Sequence, residues 1–198
     1  MKKITIHTTD IDSFQWYKRI DSMTKDEMIG RLLRTEPPNE QILMGTAFHS
    51  VLENPPDEID IVERDGFTFK VECDCELEIP PITEIRTAKG YQIDDCSVTI
   101  TGKCDGMNGN RIDDHKLTFR PNPENYFTSY QWRSYLDMFK ADYFRYIIYS
   151  ARKKGKLVTI YDVSEMKLYR YPEMTEDLKS GIAELLAFIK EHVPQMII

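Results

Sequence analysis

The spacing of apolar residues changes along the chain, and this change restricts the fold more than any other feature. Before Asn54, apolar residues recur every three or four positions, which predicts helices in IDSFQWYKRI, KDEMIGRLLR and EQILMGTAFHSVLE. From Phe67 to Leu77, in FTFKVECDCEL, apolar and polar residues alternate over eleven positions, the period of a half-buried antiparallel strand. The sequence therefore predicts a helical N-terminal part (1–55) followed by a sheet core with flanking helices (56–198).

The later segments complete a mixed pattern. Strands are predicted at Ile59–Glu63, on both sides of GMNGN (SVTITGKCD and RIDDHKLT), and in YFRYIIYS and LVTIYDV. Helices are predicted at Pro123–Ala141 and in MTEDLKSGIAELLAFIKEHV, whereas EIPPITEIRTAKG is interpreted as a linker or short helix. A chain of 198 residues with this order is expected to be a single α/β (α+β) domain with a central mixed sheet.

Composition limits the function classes. The chain is 41% hydrophobic and 30% charged, as globular proteins are, and its formal charge is −7. This acidic balance counts against a protein that merely coats DNA, because such proteins are usually basic. It does not count against an enzyme that acts on DNA, because carboxylates that bind a metal make a site acidic.

Compartment and cysteine usage give further expectations. No stretch approaches the ~20 apolar residues that span a bilayer, and the N-terminus lacks the apolar core of a signal peptide, so we expect a cytoplasmic protein without a membrane partner. In that compartment the four cysteines (Cys73, Cys75, Cys96 and Cys104) are expected to be free thiols. A zinc site is disfavoured because no CxxC pair is present.

The segment GKCDGMNGNRIDDHKLT gathers three aspartates, a histidine and two lysines around an Asn-Gly pair. A type I′ turn with Asn108 and Gly109 as its two-residue loop would pair Asp105 with Ile112. Paired residues in an antiparallel ladder point to the same face. A loop of three or five residues would reverse every face, because side-chain direction repeats every two residues.

In that register Asp105, Asp114 and Lys116 share one face, and Asp113 and His115 point to the other. Two facing carboxylates repel each other unless a cation or proton lies between them, and oxygen ligands suit Mg²⁺ or Mn²⁺. The lysine next to such an ion could orient or help deprotonate a water, or stabilise charge on a phosphate. A solvated, merely charged hairpin is the alternative.

Two helical pairs and a basic turn add candidates. His49 and Glu53 lie four residues apart in one predicted helix, where Gly45 suggests close packing against another backbone. Gln131 and Tyr135 have the same spacing, and Gln131 could reach a phosphate or the lysine of the site. Six basic residues lie between positions 140 and 156, in and before the turn ARKKGK, and could contact a phosphate backbone or form a solvated loop: Lys140, Arg145, Arg152, Lys153, Lys154 and Lys156.

Four motifs in order, GTAFHSVLE, GKCD, IDDHK and QWRSY, resemble those of RecB-like nucleases in the PD-(D/E)XK superfamily. The resemblance spans Gly45 to Tyr135 and implies a restriction-endonuclease-like core. It is closer to stand-alone phage- or prophage-type exonucleases than to large helicase–nucleases, because no helicase motif is present. The iron–sulfur cluster of some relatives is not expected, because no cysteine follows Cys104.

Transferred residue by residue, the resemblance implies that Asp105, Asp114 and Lys116 are catalytic. It implies that His49 and the main-chain carbonyl of His115 join the two aspartates as metal ligands. An imidazole ligand from His49 would favour Mn²⁺ over Mg²⁺ more than a site made only of oxygen ligands would.

The resemblance also implies that Gln131 and Tyr135 assist in binding DNA or its phosphates, and it places Glu53 with them less securely.

The predicted function is therefore a Mg²⁺- or Mn²⁺-dependent deoxyribonuclease, in particular an exonuclease of recombination, repair or phage DNA processing. Its expected partner is DNA. A single-strand annealing or recombination protein is a further candidate partner, and homo-oligomerisation is open. The alternatives are a non-catalytic DNA-binding or assembly module that retains the nuclease fold, and a hydrolase of another substrate.

Overall fold

The computed structural model describes residues 2–55, 60–74 and 82–198. Within these residues the strands are β1 (Lys2–His7), β2 (Ile61–Arg64), β3 (Phe67–Val71), β4 (Ile82–Ile93), β5 (Cys96–Asn108), β6 (Arg111–Thr118), β7 (Tyr143–Lys154) and β8 (Leu157–Tyr169). The helices are α1 (Thr8–Arg19), α2 (Lys25–Leu33), α3 (Glu40–Glu53), α4 (Pro123–Thr128), α5 (Tyr130–Phe139) and α6 (Met174–His192), and a 3-10 turn follows at Pro194–Met196.

All described strands belong to one mixed sheet, which confirms the predicted fold class. The strand order is β1-β5-β6-β7-β8-β3-β2, and β4 pairs with the other edge of β5. Three pairs are parallel (β1 with β5, β3 with β8, β6 with β7), and the remaining pairs are antiparallel.

Helices cover both faces of the sheet. They bury the side chains of β7, which point to both faces and are mostly apolar. Phe48 of α3 packs edge-on against Tyr149, whose ring centroid lies 4.8 Å away. On the opposite face Tyr135 of α5 stacks on Phe144. Helices α1 and α6 cover the β1–β5 end of the sheet in a separate apolar cluster. A strand buried on both faces is expected to be continuously apolar, as YFRYIIYS largely is.

Two strands were not predicted correctly. β1 lies in the part expected to be helical, and it pairs in parallel with Cys96–Thr101 of β5. The expectation of a linker or short helix at EIPPITEIRTAKG is wrong from residue 82 onwards, because Ile82–Ile93 form β4, and residues 78–81 lie outside the described part. The strand lies at the sheet edge, and its covered side carries Thr87 and Lys89, so the sequence lacks the apolar alternation by which strands are identified.

Three predicted boundaries also changed. The strand expected from Phe67 to Leu77 ends at Val71, and residues 75–77 lie outside the described part. The short strand expected at Ile59–Glu63 is found at Ile61–Arg64, and residue 59 is likewise outside.

The helix predicted at Pro123–Ala141 is two helices, because Ser129 adopts an extended backbone (φ −60°, ψ 142°). Ser129 is therefore both the C-cap of α4 and the N-cap of α5, and its hydroxyl accepts a hydrogen bond from Gln131 N.

Among the described cysteines, Cys96 and Cys104 are free and buried, as expected. The prediction is wrong for Cys73, which is disulfide-bonded, because it rested on compartment and not on geometry. Cys75 lies outside the described residues. In the part of the chain that the structure describes, no helix is both long and apolar enough to cross a bilayer.

Candidate active site

The candidate site lies where β5 and β6 separate. The two strands pair only next to their turn, from Asn108↔Arg111 to Gly106↔Asp113. Beyond that point β6 continues along β7 to Thr118, and β5 next pairs on that side with β1. The Asp105 carboxylate crosses the resulting gap and accepts a hydrogen bond from His115 N at 2.8 Å. The fork therefore lets side chains from both faces of the sheet meet.

The predicted position of the turn in this hairpin is wrong by one residue. Gly109 and Asn110, not Asn108 and Gly109, form the two-residue loop. Gly109 has φ +58°, but Asn110 is not among the described residues with positive φ, which excludes a type I′ turn. Met107 consequently pairs with Ile112 rather than with Asn110. The displacement is two positions, so parity alone would leave each side chain on its predicted face. Asp114 and Lys116 do lie together, with Asp113 opposite, whereas the Asp105 carboxylate turns to His49 of α3 on the other side of the fork.

Asp114 and Lys116 lie together on the α5 face of β6. The Lys116 ammonium is 2.6 Å from Asp114 Oδ2, and Gln131 donates to Asp114 Oδ1 at 3.0 Å. Asp114 is 2% exposed, and its Oδ2 makes no well-directed hydrogen bond, so its contact with Lys116 is purely ionic. Burial opposes the charge of Lys116, but the Asp114 and Asp105 carboxylates raise its pKa above the ordinary value.

Asp105 and His49 meet on the other side of the fork. His49 Nδ1 of α3 is 3.4 Å from Asp105 Oδ2, and His49 also hydrogen-bonds to the main chain of His115. Burial and the nearby Asp114 charge raise the pKa of Asp105 to about 8, whereas burial lowers the pKa of His49. The His49–Asp105 contact is thus not a conventional ion pair. The side chain of His115 points away towards Tyr149, with 3.1 Å between Nδ1 and the hydroxyl.

The adjacent carboxylate, Asp113, has a different environment. It is fully buried on the α3 face, where Arg145 contacts both of its oxygens at 2.9 Å and Arg111 adds a third contact. Guanidinium groups from two arginines already compensate its charge and engage both of its oxygens, which makes it a poor candidate for binding a ligand. Asp113 is therefore a structural residue, as its predicted orientation away from the site implied.

The other predicted substrate-binding residues are less well placed. Tyr135 is only 2% exposed, and its hydroxyl donates to Lys103 O at 2.7 Å. Its ring lies so close to Gly102 that a Cβ there would approach it to 2.5 Å. Tyr135 consequently supports β5 and α5 rather than presenting a group to substrate, and a direct role in DNA binding stays a prediction.

Glu53 lies at the end of α3, next to Glu84 of β4, which sequence reasoning missed. Burial and the charge and hydrogen bond of Glu84 raise the pKa of Glu53. Glu84 has φ +60°, and both carboxylates line a cavity of about 20 Å³ with His49, Asp105 and His115. No sequence signal could place Glu84 here, because β4 was not recognised as a strand. Two like charges make Glu53 a poor phosphate ligand, and its role stays a prediction.

The basic turn between β7 and β8 is mostly neutralised. Lys153 and Lys156 contact Glu40, and Arg152 contacts Glu72. Arg145 is buried against Asp113 and cannot reach a nucleic acid. These pairs favour the solvated-loop interpretation over a phosphate-binding patch.

Gly45 of α3 has no heavy atom within 4 Å of a Cβ built on it. The expectation that it marks close packing is therefore wrong.

The donor types at the fork suit a divalent cation, but they do not converge. Among residues 2–55, 60–74 and 82–198, no group of three or more His, Cys, Asp or Glu side chains is arranged to hold a metal ion. The feature that fits an ion is Asp114 Oδ2, a buried anionic oxygen without a hydrogen bond. Such an atom is costly unless a charge compensates it, and Lys116 is the group that does so in this structure.

Comparison with known proteins gives matches in structure but none in sequence. No family model matches the chain, and no curated protein matches it in sequence. Solved structures do match at low identity, and among them are exonucleases; the match agrees with the predicted α/β domain with a central mixed sheet flanked by helices.

Two of these structures are the most informative. SSO0001 has a TM-score of 0.52 at 13% identity, covering 92% of this chain and 75% of that protein. LHK-Exo in complex with dAMP has a TM-score of 0.50 at 11% identity, covering 96% of this chain and 90% of that one. LHK-Exo is an alkaline exonuclease from Laribacter hongkongensis. At such identities the similarity establishes the fold alone.

Proposed function

We propose that the chain is a metal-dependent deoxyribonuclease. The observation that carries the proposal is the group of Asp105, Asp114 and Lys116 at the strand fork, with the ammonium against a buried carboxylate oxygen that lacks a hydrogen bond. A fold shared with an exonuclease that binds dAMP supports DNA as the substrate. We expect an exonuclease in recombination, repair or phage DNA processing.

In this proposal His49, Asp105 and Asp114 hold Mg²⁺ or Mn²⁺, together with the main-chain carbonyl of His115. When bound, the ion supplies Lewis-acid activation of the phosphate and of a water. Lys116 stabilises negative charge that develops on the phosphate, and Gln131 holds Asp114 in place through Oδ1.

The reacting strand has a suitable approach on the α5 face. A cavity of about 330 Å³ borders Lys116 and Gln131, and Arg19, Arg31 and Trp16 also line it. Guanidinium groups bind phosphates, and an indole ring can stack on a base regardless of sequence. We infer that this cavity receives the nucleotide next to the scissile phosphate, despite the net negative charge of the whole chain.

Cleavage of linear and circular DNA, with and without labelled ends, in Mg²⁺, Mn²⁺ or chelator tests the proposal. We expect metal-dependent loss of linear DNA, and sparing of circles if the enzyme requires an end. Lys116→Ala should abolish cleavage while keeping metal and DNA binding. Lys70→Ala is the matched control, because Lys70 is an exposed lysine that pairs with Glu72 far from the fork. Unchanged cleavage by Lys116→Ala contradicts the mechanism.

A second candidate function is a non-catalytic DNA-binding or assembly module. The observation that favours it is the lack of three converging ligand side chains in the described residues. Calorimetric titration with Mn²⁺ separates the two functions. The nuclease requires binding by the wild-type chain and weaker binding by Asp114→Ala, whereas no binding, or equal binding by both, favours the module.

A further inference from the structure

Asp12 of α1 has a carboxylate that is directed at the start of α5. Its Oδ2 accepts from Ser129 Oγ at 2.7 Å, and its Oδ1 accepts from Tyr130 N at 2.5 Å. Free N–H groups and the positive end of the helix dipole make a helix N-terminus a favourable place for an anion. Asp12 thus fixes α5 from a different helix.

The residue that this contact places is Gln131, in the first turn of α5. Ser129 Oγ, which donates to Asp12, accepts from Gln131 N at 3.0 Å. The side chain of Gln131 donates to Asp114 Oδ1, and Asp114 Oδ2 faces Lys116. A path of hydrogen bonds through Ser129 and Gln131 therefore joins Asp12 to Asp114, and the ion pair of Asp114 extends it to Lys116.

We propose that Asp12 is a positioning residue for the proposed cleavage: it holds the N-terminus of α5 so that Gln131 fixes Asp114 with Oδ2 turned to the reaction. This inference rests on the proposed function. Asp12 also lines the 330 Å³ cavity with Lys116 and Gln131, so it borders the same space. Burial raises the pKa of Asp12, and the hydrogen bonds from Ser129 and Tyr130 and the charge of Lys116 oppose that rise.

Asp10 provides a matched comparison within the same helix. It is 3% exposed and also makes two polar contacts, accepting from His7 N at 2.8 Å and from Arg34 at 2.6 Å. Those contacts cap α1 and bind α2, and none reaches α5. Asp10→Asn therefore reports the structural cost of losing such a charge on α1, without the path to Gln131.

The first measurement needs neither DNA nor metal. The ¹⁵N-labelled side-chain amide of Gln131, assigned by its loss in Gln131→Ala, reports its hydrogen bond to Asp114. We expect Asp12→Asn to move this signal towards the position of a free amide, and Asp10→Asn to leave it unchanged. Ser129→Ala, which removes the bridging hydroxyl but keeps the carboxylate, is the second variant and should move the signal in the same direction. An unmoved signal in both Asp12→Asn and Ser129→Ala overturns the proposal.

The second measurement is kinetic. We expect Asp12→Asn to lower kcat by about 10-fold or more with little change in KM, because small displacements near reacting groups are costly. Asp10→Asn should retain kcat. Asp12→Asn with Gln131→Ala should be no slower than Gln131→Ala alone, because Asp12 acts through Gln131. Additive losses overturn the proposal. If the wild type cleaves no DNA, the proposed function fails, and the amide measurement alone decides the role of Asp12.

Discussion

Asp113 and Asp114 are neighbours on one strand and equally buried, yet their surroundings differ. On the α3 face, Asp113 receives contacts from Arg145 and Arg111 that use both of its oxygens. On the α5 face, Asp114 has Gln131 on one oxygen and only the Lys116 ammonium near the other. The difference teaches that burial of a carboxylate does not identify a reactive site. The identifying feature is an oxygen whose charge is compensated but whose hydrogen-bonding capacity is unused.

The largest effect is expected for Asp114→Asn. Loss of one proposed ligand and of the charge facing Lys116 should lower the cleavage rate by about 10³-fold or more. The free energy of unfolding should change by no more than about 1 kcal/mol, because Asp105, whose pKa the Asp114 charge raises, can then ionise and compensate Lys116. Single-turnover cleavage and urea unfolding measure the two quantities. Cleavage by Asp114→Asn at the wild-type rate would contradict the assignment of Asp114, but not Asp113, to the proposed site.

Asp113→Asn should have the opposite profile. Arg145 is 3% exposed, and the variant weakens its main anionic partner, so we expect a loss of about 3 kcal/mol in the free energy of unfolding. The rate of DNA cleavage, measured well below the unfolding temperature, should stay within about twofold of wild type, because Asp113 faces away from the fork. Normal stability with poor cleavage would assign Asp113 to the site instead.

Gly102→Ala tests how the α5 side is supported. The new Cβ would lie 2.5 Å from Tyr135 Cε1 and 3.0 Å from Thr8, so we expect a loss of about 1–3 kcal/mol by overpacking. Gly45→Ala is the matched control, since its Cβ meets no heavy atom within 4 Å and alanine favours a helix by about 1 kcal/mol. Thermal unfolding of both variants should give shifts of opposite sign. Equal shifts would contradict the packing described for Tyr135.

The last prediction concerns Asp137, another buried aspartate, which like Asp113 is paired with a cation. Burial opposes its charge, but hydrogen bonds from Lys89 and Tyr91 lower its pKa below the ordinary value. A lowered pKa in the folded state adds stability above the unfolded pKa of about 3.9, and that stability is lost as the pH falls through the folded value. Asp137→Asn should therefore cost about 1–3 kcal/mol at pH 7 and progressively less below about pH 4. Urea unfolding from pH 2.5 to 7 measures it, and a pH-independent difference would show that charge is irrelevant there.

The sequence predicted the sheet core and its faces well where the period was clear. Asp114 and Lys116 lie together and Asp113 lies opposite, because a turn displaced by one residue moved the pairing by two positions and preserved each face. The turn type itself was wrong, because Asn-Gly and Gly-Asn both satisfy a two-residue loop and local sequence does not decide between them.

Residues that depend on long-range packing could not be predicted. β4 has polar residues on its covered side and therefore no apolar alternation in its sequence, so Glu84 could not be placed near Asp105. Asp12 lies 117 positions before Ser129, and only the packing of α1 against α5 brings them together. Tyr135 was expected to assist DNA binding by resemblance; its hydroxyl donates to Lys103 O, a contact that the sequence did not indicate, and its role at the substrate stays a prediction.

The separation of β5 from β6 has a consequence for changes in chain length. Inserting or deleting one residue in the Gly109–Asn110 loop reverses the facing of β5 relative to β6 next to the turn, and β6 is held in place by its eight-residue ladder with β7, so Asp105 would lose its position beside Asp114. The Gly155–Lys156 loop joins β7 and β8, whose ladder already contains an irregularity at Ser150/Ala151 that could absorb a one-residue change. We therefore expect length changes to be tolerated better at the second loop, whereas the proposed cleavage requires the first loop to keep its length.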